Sequence, residues 1–416
     1  MKSFHDVVVV GLGYIGLPTA VMFANSGLRV LGVEKNPDRI AAIQSGKATA
    51  DEPQLELLLE RSLSSGAFEI GDAPEEAGAY IIAVPTPLSD SGAMNYDLIG
   101  SAVAELANSL VPGALVILES TVSPGTTKRM ADQIRALRPD LIDSDSKLRV
   151  EVAHCPERVL PGAIVEEFRT NDRVVGGLTN EAGEKAAQLY SQVTDGQVLV
   201  TSAETAELSK LAENAFRDVN IAFANELSNI ADSYNIDIWE LREIANRHPR
   251  VEILRPGPGV GGHCIAVDPW FIISSAPQLT SLMRTARSVN DARPAWVVKK
   301  IQKIRSQANH SRVRVYGATF KANVDDTRES PALSVIDGLA ASYPDEVVEV
   351  VDPKIETLPE TLDHNNIVLL TSDEAATLNP ETLHICLVAH NEFKETLGEI
   401  KKNQNFLDIA GLFEKS

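Results

Sequence analysis

Four consecutive valines, Val7–Val10, run into Gly11-Leu12-Gly13-Tyr14-Ile15-Gly16, and a helical pattern extends from Tyr14 to Ser26. This strand, turn and helix constrain the fold more than any other feature, because each glycine answers a separate steric demand. Gly11 permits the tight turn, Gly13 lets a diphosphate approach the backbone, and Gly16 lets helix and strand pack closely. A pyrophosphate then sits on the positive end of the helix dipole. Glu34 closes the next strand, 18 residues after Gly16, where a carboxylate grips the ribose hydroxyls of an adenosine. A carboxylate there repels a 2′-phosphate, so the expected cofactor is NAD rather than NADP.

The same alternation continues. Strand-like runs at Arg29–Val33, Tyr80–Val84 and Leu115–Glu119 are separated by helical patterns from Asp38 and over Tyr96–Ser109, with further strand candidates at Arg149–Ala153 and Arg173–Gly176. Continuously apolar strands alternating with helices predict a parallel sheet covered on both faces. From Ala203 to about His248 the pattern changes. Ala206, Leu208, Leu211, Ala212, Ala215, Phe216, Val219, Ile221, Ala222, Leu227 and Ile230 recur at helical spacing, with no Pro or Gly before Pro249. This predicts a long helix followed by a second one from Ile238. Such a striped connector carries a dimer interface or packs within its own chain, and the two look alike in sequence. After Ala292 strands read at Arg312–Tyr316, Val347–Val351, Ile367–Leu370 and Leu383–Val388, with a helix over Ala332–Ser342. The predicted class is α/β: two Rossmann-like parallel-sheet domains joined by a long central helix.

Charge narrows the partners. Lys and Arg number 38 against 58 Asp and Glu, a net charge of −20, which argues against nucleic-acid and anionic-membrane surfaces. No apolar run approaches the roughly 20 residues that span a bilayer, and the first residues lack the apolar core of a secretory signal. The expected location is the cytoplasm. Three cysteines, Cys155, Cys264 and Cys386, cannot all pair, and no CxxC spacing suggests a metal.

Chemistry-bearing residues concentrate where strands end. Ala83-Val84-Pro85-Thr86-Pro87 and Glu119-Ser120-Thr121-Val122-Ser123-Pro124-Gly125 follow buried strands. Ligands of doubly wound sheets bind outside such ends, so both segments are placed to line the nicotinamide half of a site. His154-Cys155-Pro156-Glu157 ends another strand. Glu157 serves as a general base if burial raises its carboxyl toward neutrality, and as a surface carboxylate otherwise. Lys210 and Asn214 share a helix face; an ammonium and an amide pointing together stabilise an oxyanion, although a solvated stripe would read the same.

The sharpest local signal is Arg255-Pro256-Gly257-Pro258-Gly259-Val260-Gly261-Gly262-His263-Cys264, with Asp268-Pro269 close behind. Cys386, in His-Ile-Cys-Leu-Val, reads as core. Cys264 does not, because a Gly/Pro run is no packed strand or helix. A thiol there, beside an imidazole and four residues before a carboxylate, is a nucleophile candidate. Cys155 is its competitor. Lys321 and Arg328, in Phe320–Pro331, stand in a loop feeding a helix N-terminus, suited to phosphate.

Taken in order, GLGYIG, VPTP, ESTVSPGTT, CPERVLPG, AELSKLAENAF, GPGVGGHC with its DP, and FKANVDDTRESP resemble the UDP-glucose/GDP-mannose dehydrogenase family over essentially the whole chain. The resemblance implies an NAD domain over 1–200, a central helical dimerisation region over 201–300 and a UDP-sugar-binding α/β domain over 301–416. It implies a homodimer and a four-electron oxidation at C6 of a UDP-sugar, with Cys264 passing through a thiohemiacetal and a thioester. Lys210 and Asn214 would hold the oxyanion, with Asp268 as acid/base or water-orienting group. Glu157 would activate water, and Thr121 would position it.

The implied cofactor contacts are Gly11, Gly13, Tyr14, Ile15, Gly16, Glu34, Thr86, Thr121 and Arg328. Glu157, Arg158, Val159, Lys210, Asn214, Gly261 and Lys321 would face the substrate, and Arg250 or Arg247 would reach a partner subunit's site. Around Cys264 the sequence NRHPRVEILRPGPGVGGHCIAVDPWFI is most similar to members acting on UDP-N-acetyl-D-mannosamine, with surface-polysaccharide synthesis as the implied destination. UDP-N-acetylglucosamine and UDP-glucose are the alternatives. UDP-glucose members carry Ser at the place of His263 and a second Glu four residues after Glu157, where Pro161 stands here. Three rivals keep the NAD fold without the thiol chemistry: a two-electron hydroxyacid-type dehydrogenase, a redox-neutral epimerase and a non-catalytic sensor.

Overall fold

The computed structural model describes residues 4–48, 52–89, 91–159, 162–262, 264–308, 310–375, 379, 381–401 and 405–414. The chain divides into two compact units, residues 1–212 with 270–276 and residues 213–269 with 277–416.

The first unit is built on eight strands: β1 (His5–Val10), β2 (Val30–Val33), β3 (Phe68–Gly71), β4 (Ala77–Ile82), β5 (Leu115–Leu118), β6 (Glu151–His154), β7 (Arg173–Gly177) and β8 (Val198–Ser202). They lie in the order β3-β2-β1-β4-β5-β6-β7-β8. The first six give the doubly wound order, which reverses between β1 and β4 and leaves the ligand crevice there. Side chains alternate across each strand, so one sheet buries two cores. Val7, Val9, Ile81 and Ile117 pack with Leu17, Phe23 and Leu59; Val8, Val10, Ile82 and Val116 pack with Ile99, Val103 and Met130. Strands β1 to β6 pair in parallel, as expected. The β6–β7 pair is antiparallel, a departure from the all-parallel expectation. The seven-residue helix Ile164–Thr170 joins them without carrying the chain back along the sheet, so β7 enters from the end where β6 left.

The helix Ala203–Ser233 runs 31 residues. It stops without Pro or Gly because Asn235 takes a left-handed φ of 56°, which Asn tolerates better than most residues. Asp237 then accepts the Trp239 N–H at 2.9 Å and opens the second helix, Ile238–Ala245.

The second unit carries β9 (Arg312–Tyr316), β10 (Val348–Val351), β11 (Ile367–Leu370), β12 (Thr382–Cys386) and β13 (Phe406–Asp408), ordered β11-β10-β9-β12-β13 and all parallel. Val313, Val315, Val350 and Ile385 pack against Ile301 of the helix Ser281–Ala308 and against Val335 and Leu339 of the helix Pro331–Ser342. Not expected from the sequence are the strands β3, β8 and β13 and the helices Pro53–Ser65, Thr126–Leu137, Ile164–Thr170, Asn180–Tyr190, Asp268–Ser275, Ser281–Ala308 and Phe393–Ile400. Among the described residues no helix is long and apolar enough to cross a membrane.

Candidate active site

In the first unit the glycine loop leaves β1 at the crevice. Gly11 has φ of +91°, and a Cβ there would lie 2.7 Å from the Ala83 oxygen at the end of β4. A Cβ on Gly16 would fall 1.8 Å from the Gly11 oxygen, whereas one on Gly13 would meet nothing within 4 Å. Gly11 and Gly16 are therefore glycine for packing, and the space over Gly13 is the cradle a pyrophosphate needs. Tyr14 and Ile15 are half-buried between them.

The Glu34 carboxylate accepts N–H groups of Leu12 (3.2 Å), Lys35 (2.8 Å) and Asn36 (3.0 Å), and pairs with Arg39 at 2.9 Å. Burial pushes its carboxyl up, but the backbone donors and the guanidinium outweigh burial and hold it below the ordinary Glu range. Nothing in the sequence singles out Arg39, which reads only as a cation in the first turn of a helix.

The Thr86 hydroxyl donates to the Thr121 carbonyl at 2.8 Å, which ties the two strand-end loops together. Glu207, buried on the long helix, accepts the N–H groups of Gly125 (2.6 Å) and Thr127 (2.7 Å) and the Thr127 hydroxyl (2.6 Å). It thereby caps the helix Thr126–Leu137 that follows the Thr121 loop. Nothing local marks Glu207 for this, because its partners are 80 and 82 residues away.

Glu157 is buried. One carboxylate oxygen accepts the N–H groups of Arg158 (2.7 Å) and Val159 (3.1 Å), the other pairs with Arg173 at 3.0 Å, and its carbonyl accepts the Lys210 ammonium. Four of the expected substrate residues are thus together. Cys155 is fully buried, and burial pushes its thiol up to about 12. That removes it as competitor to Cys264, since the thiolate is the nucleophile. Burial pushes His154 down to about 3 and keeps its imidazole neutral. Leu160 and Pro161 lie outside the described residues.

In the second unit Cys264 is exposed. Its carbonyl accepts the Asp268 N–H at 2.8 Å, the first residue of the helix Asp268–Ser275. Asp268 is buried and accepts the Asn214 amide at 2.6 Å, so Cys264, Asp268 and Asn214 form one connected set. The loop ahead of the thiol is gripped on both sides: Gly257 N–H donates to the Asn225 side chain and Gly257 C=O accepts Arg293 Nε, each at 2.9 Å. A Cβ on Gly261 would fall 2.2 Å from the Glu329 oxygen, and one on Gly262 would fall 2.8 Å from the Phe320 ring. These glycines let the thiol loop lie against the loop of residues 320–331. His263 lies outside the described residues.

In that second loop Lys321 is exposed, with its carbonyl bonded to the Thr319 hydroxyl at 3.0 Å. Arg328, expected at the cofactor, turns onto Asp326 of its own loop at 2.8 and 2.6 Å. Arg250 is exposed, its N–H meeting His248 Nδ1 at 3.4 Å, and Arg247 pairs with Glu243 at 3.0 Å. Neither joins the other expected residues. Among the described residues no group of three His, Cys, Asp or Glu side chains could hold a metal ion.

A doubly wound sheet with an open glycine loop and a carboxylate closing its second strand is the frame of a dinucleotide-binding domain. Three family descriptions match in series: the NAD binding domain of the UDP-glucose/GDP-mannose dehydrogenase family over residues 5–194, its central domain over 204–292 and its UDP binding domain over 314–415. The chain belongs to that family, and is an NAD-dependent UDP-sugar dehydrogenase. It is 45% identical over 400 residues to a UDP-N-acetyl-D-mannosamine dehydrogenase of Campylobacter jejuni, covering 95% of this chain and 98% of the relative. It is 43% identical over 414 residues to an NDP-N-acetyl-D-galactosaminuronic acid dehydrogenase of Ralstonia nicotianae, covering 99% and 97%. Among solved structures it is similar to a UDP-D-ManNAc dehydrogenase of Pyrococcus horikoshii, with a TM-score of 0.86, 35% identity, and 99% and 96% of the two chains covered.

Proposed function

We propose that this chain oxidises C6 of UDP-N-acetyl-D-mannosamine from primary alcohol to carboxylate, with Cys264 as covalent catalyst. The observation that carries the reading is the contrast among its cysteines: Cys155 and Cys386 are buried, and Cys264 is exposed in a glycine loop. The sugar assignment is supported by the names of full-length relatives at 42–45% identity. A second sugar, N-acetylated with the galacto configuration, is favoured by the Ralstonia relative at 43%. UDP-N-acetylglucosamine and UDP-glucose remain the alternatives from sequence.

NAD⁺, when bound, accepts the hydride released from C6 in each of the two oxidations. The glycine loop and Glu34 would hold its pyrophosphate and ribose, and Thr86 and Thr121 would line the rest of its site. The Cys264 thiolate attacks the aldehyde carbon, forming a C–S bond and a thiohemiacetal. Loss of the second hydride leaves a thioester. Water adds to it while Glu157 takes the water's proton, and the C–S bond breaks to return the thiolate and the sugar carboxylate. Lys210 and Asn214 stabilise the oxyanion at each tetrahedral stage. Asn214 also fixes Asp268, which supplies or receives the proton there. Each alcohol consumed yields two NADH, one carboxylate and three protons, with one water used.

The reading includes a cytoplasmic homodimer whose uronate product enters surface polysaccharide. A second copy is supported by Phe216, Phe223 and Ile230, which recur every seven residues along the long helix, followed by Tyr234; all four are exposed. Arg250 then serves the partner's site. Nucleotide activation of the product supports its use in glycosyl transfer. The test is NADH released per sugar consumed, with UDP-N-acetylmannosamine, UDP-N-acetylgalactosamine, UDP-N-acetylglucosamine and UDP-glucose in parallel. Two NADH from the first and little turnover of the others is expected. One NADH per sugar favours the hydroxyacid-type rival, and no NADH favours the epimerase or sensor.

A further inference from the structure

Behind the Glu157 loop the first unit buries ionisable groups that the reaction above does not use. Glu119, just past β5, is 1% exposed. Thr19 of the helix Gly16–Asn25 and Tyr190 of the helix Asn180–Tyr190 each place a hydroxyl 2.9 Å from one of its carboxyl oxygens. Arg173, on β7, gives its guanidinium to Glu157 and lies over the Phe168 ring at 3.8 Å and the Tyr190 ring at 5.0 Å. Cys155 completes the cluster, and its thiol stays protonated because burial pushes it up to about 12. Burial likewise pushes the Tyr190 phenol above its ordinary range.

The Lys210 ammonium is bonded to the Glu157 backbone carbonyl, and at the carboxyl groups themselves the charges of the described residues do not balance. Glu119 and Glu157 are two buried carboxyls with one guanidinium between them, and an uncompensated buried charge is costly. Glu157 has the guanidinium and two backbone N–H groups, which stabilise an anion. Among the described residues the Glu119 carboxyl has only the Thr19 and Tyr190 hydroxyls as hydrogen-bond partners. A neutral carboxyl donates to one hydroxyl and accepts from the other, so both oxygens are satisfied without charge.

We propose that Glu119 is held as a neutral carboxylic acid at working pH and acts as a positioning residue for the hydrolytic base, leaving Arg173 to Glu157 alone. That role rests on the reading of Glu157 as the base, but the protonation of Glu119 does not. Its carboxyl is pushed from 4.5 up to about 8, by burial first, then by the Glu157 charge, with Arg173 opposing. Ionising Glu119 would set a second anion against the same guanidinium and draw it off Glu157.

Glu119→Gln fixes the neutral form. Between pH 4.5 and about 8 the folded parent keeps a proton that the unfolded chain has released. Its stability should fall across that window and level off above it, by about tenfold in the folding equilibrium per pH unit for this one proton. The variant should lack that increment, so its stability-against-pH curve is shallower by about tenfold per unit. The infrared difference between parent and variant at pH 7 should contain the C=O band of a protonated carboxyl. The pH profile of thioester hydrolysis should bend near 8 in the parent and not in the variant. Parallel stability curves, or a carboxylate band in place of the acid band, would overturn the proposal. If the variant does not fold, titrating the acid band in the parent decides the same question. Glu157→Gln separates the two claims: full thioester hydrolysis in that variant would refute Glu157 as base, while the Glu119 band and slope are judged independently.

Discussion

Both units leave their first strand on a glycine of positive φ, Gly11 at 91° after β1 and Gly317 at 95° after β9, and both place a carboxylate after the second strand, Glu34 and Asp352. The likeness ends at what those carboxylates do. Glu34 is bonded to loop N–H groups and to Arg39, whose side chain is 38% exposed. Asp352 is sealed. It accepts the N–H groups of Ala318 (2.7 Å), Thr319 (3.2 Å) and Lys354 (2.8 Å), and the ring of fully buried His390 at 3.2 Å. His390 Nδ1 accepts the Asn323 N–H at 3.0 Å, and a backbone amide can only donate, so the ring proton sits on Nε2. The first unit sets its acid against the glycine loop. The second uses its acid to anchor the loop that carries Lys321.

The largest effect separates the thiols. Cys264→Ala should lower carboxylate formation by more than about 10³-fold, as loss of a nucleophile does. Cys155→Ala, in the other unit, should keep most of it, because Cys155 is a buried small hydrophobe; steady-state assays at saturating NAD⁺ decide. Equal losses would end the distinction.

The two carboxylates come next. Asp352→Ala leaves three N–H groups and a histidine without their acceptor and should cost about 3–5 kcal/mol of stability in urea unfolding. Its carboxyl is held below the ordinary Asp range: burial raises it, but the His390 and backbone bonds prevail. The stability this gives is present above the ordinary Asp pKa and lost as pH falls through the lower folded value, so the variant should also show a flatter acid limb. Glu34→Ser removes the acceptor of three loop N–H groups and the partner of Arg39, and should cost about 1–3 kcal/mol in urea unfolding, less than Asp352→Ala because Arg39 keeps its water. It should raise KM for NAD⁺ roughly tenfold, the loss of a hydrogen bond to a charged group, and admit NADP⁺ through Arg39 and Lys35.

The smallest effect divides the glycines. Gly317→Ala forces a left-handed alanine 2.4 Å from Val388, which should cost at least about 1–2 kcal/mol. Gly13→Ala meets nothing and should leave the melting temperature in place while raising KM for NAD⁺. A melting temperature lowered as much by Gly13→Ala would break the comparison.

What is legible in the sequence follows the same division. GLGYIG can be read because its demands are steric and local, and Glu34 because its distance from the loop is fixed by one helix and one strand. The Asp352–His390 anchor cannot, because its members are 38 residues apart and each alone reads as a loop residue. Arg173 and Glu119 are hidden for a similar reason. Charges at strand ends read as solvated, and only the packing of Phe168 and Tyr190 over them shows they are buried. The strands β8 and β13 escape notice because Leu199 and Val200 on β8 are exposed and β13 has three residues. The thiol is singled out by the loop around it, while the Asn225 and Arg293 grip on Gly257 comes from helices distant in sequence.

The central claim is covalent catalysis by Cys264, and acid-quenched mass spectrometry during turnover tests it most directly. The peptide containing Cys264 should carry the mass of the UDP-sugar acyl group while NADH accumulates, and Glu157→Gln should increase that fraction. Two NADH per sugar with no adduct on Cys264, or an adduct on another residue, would contradict it.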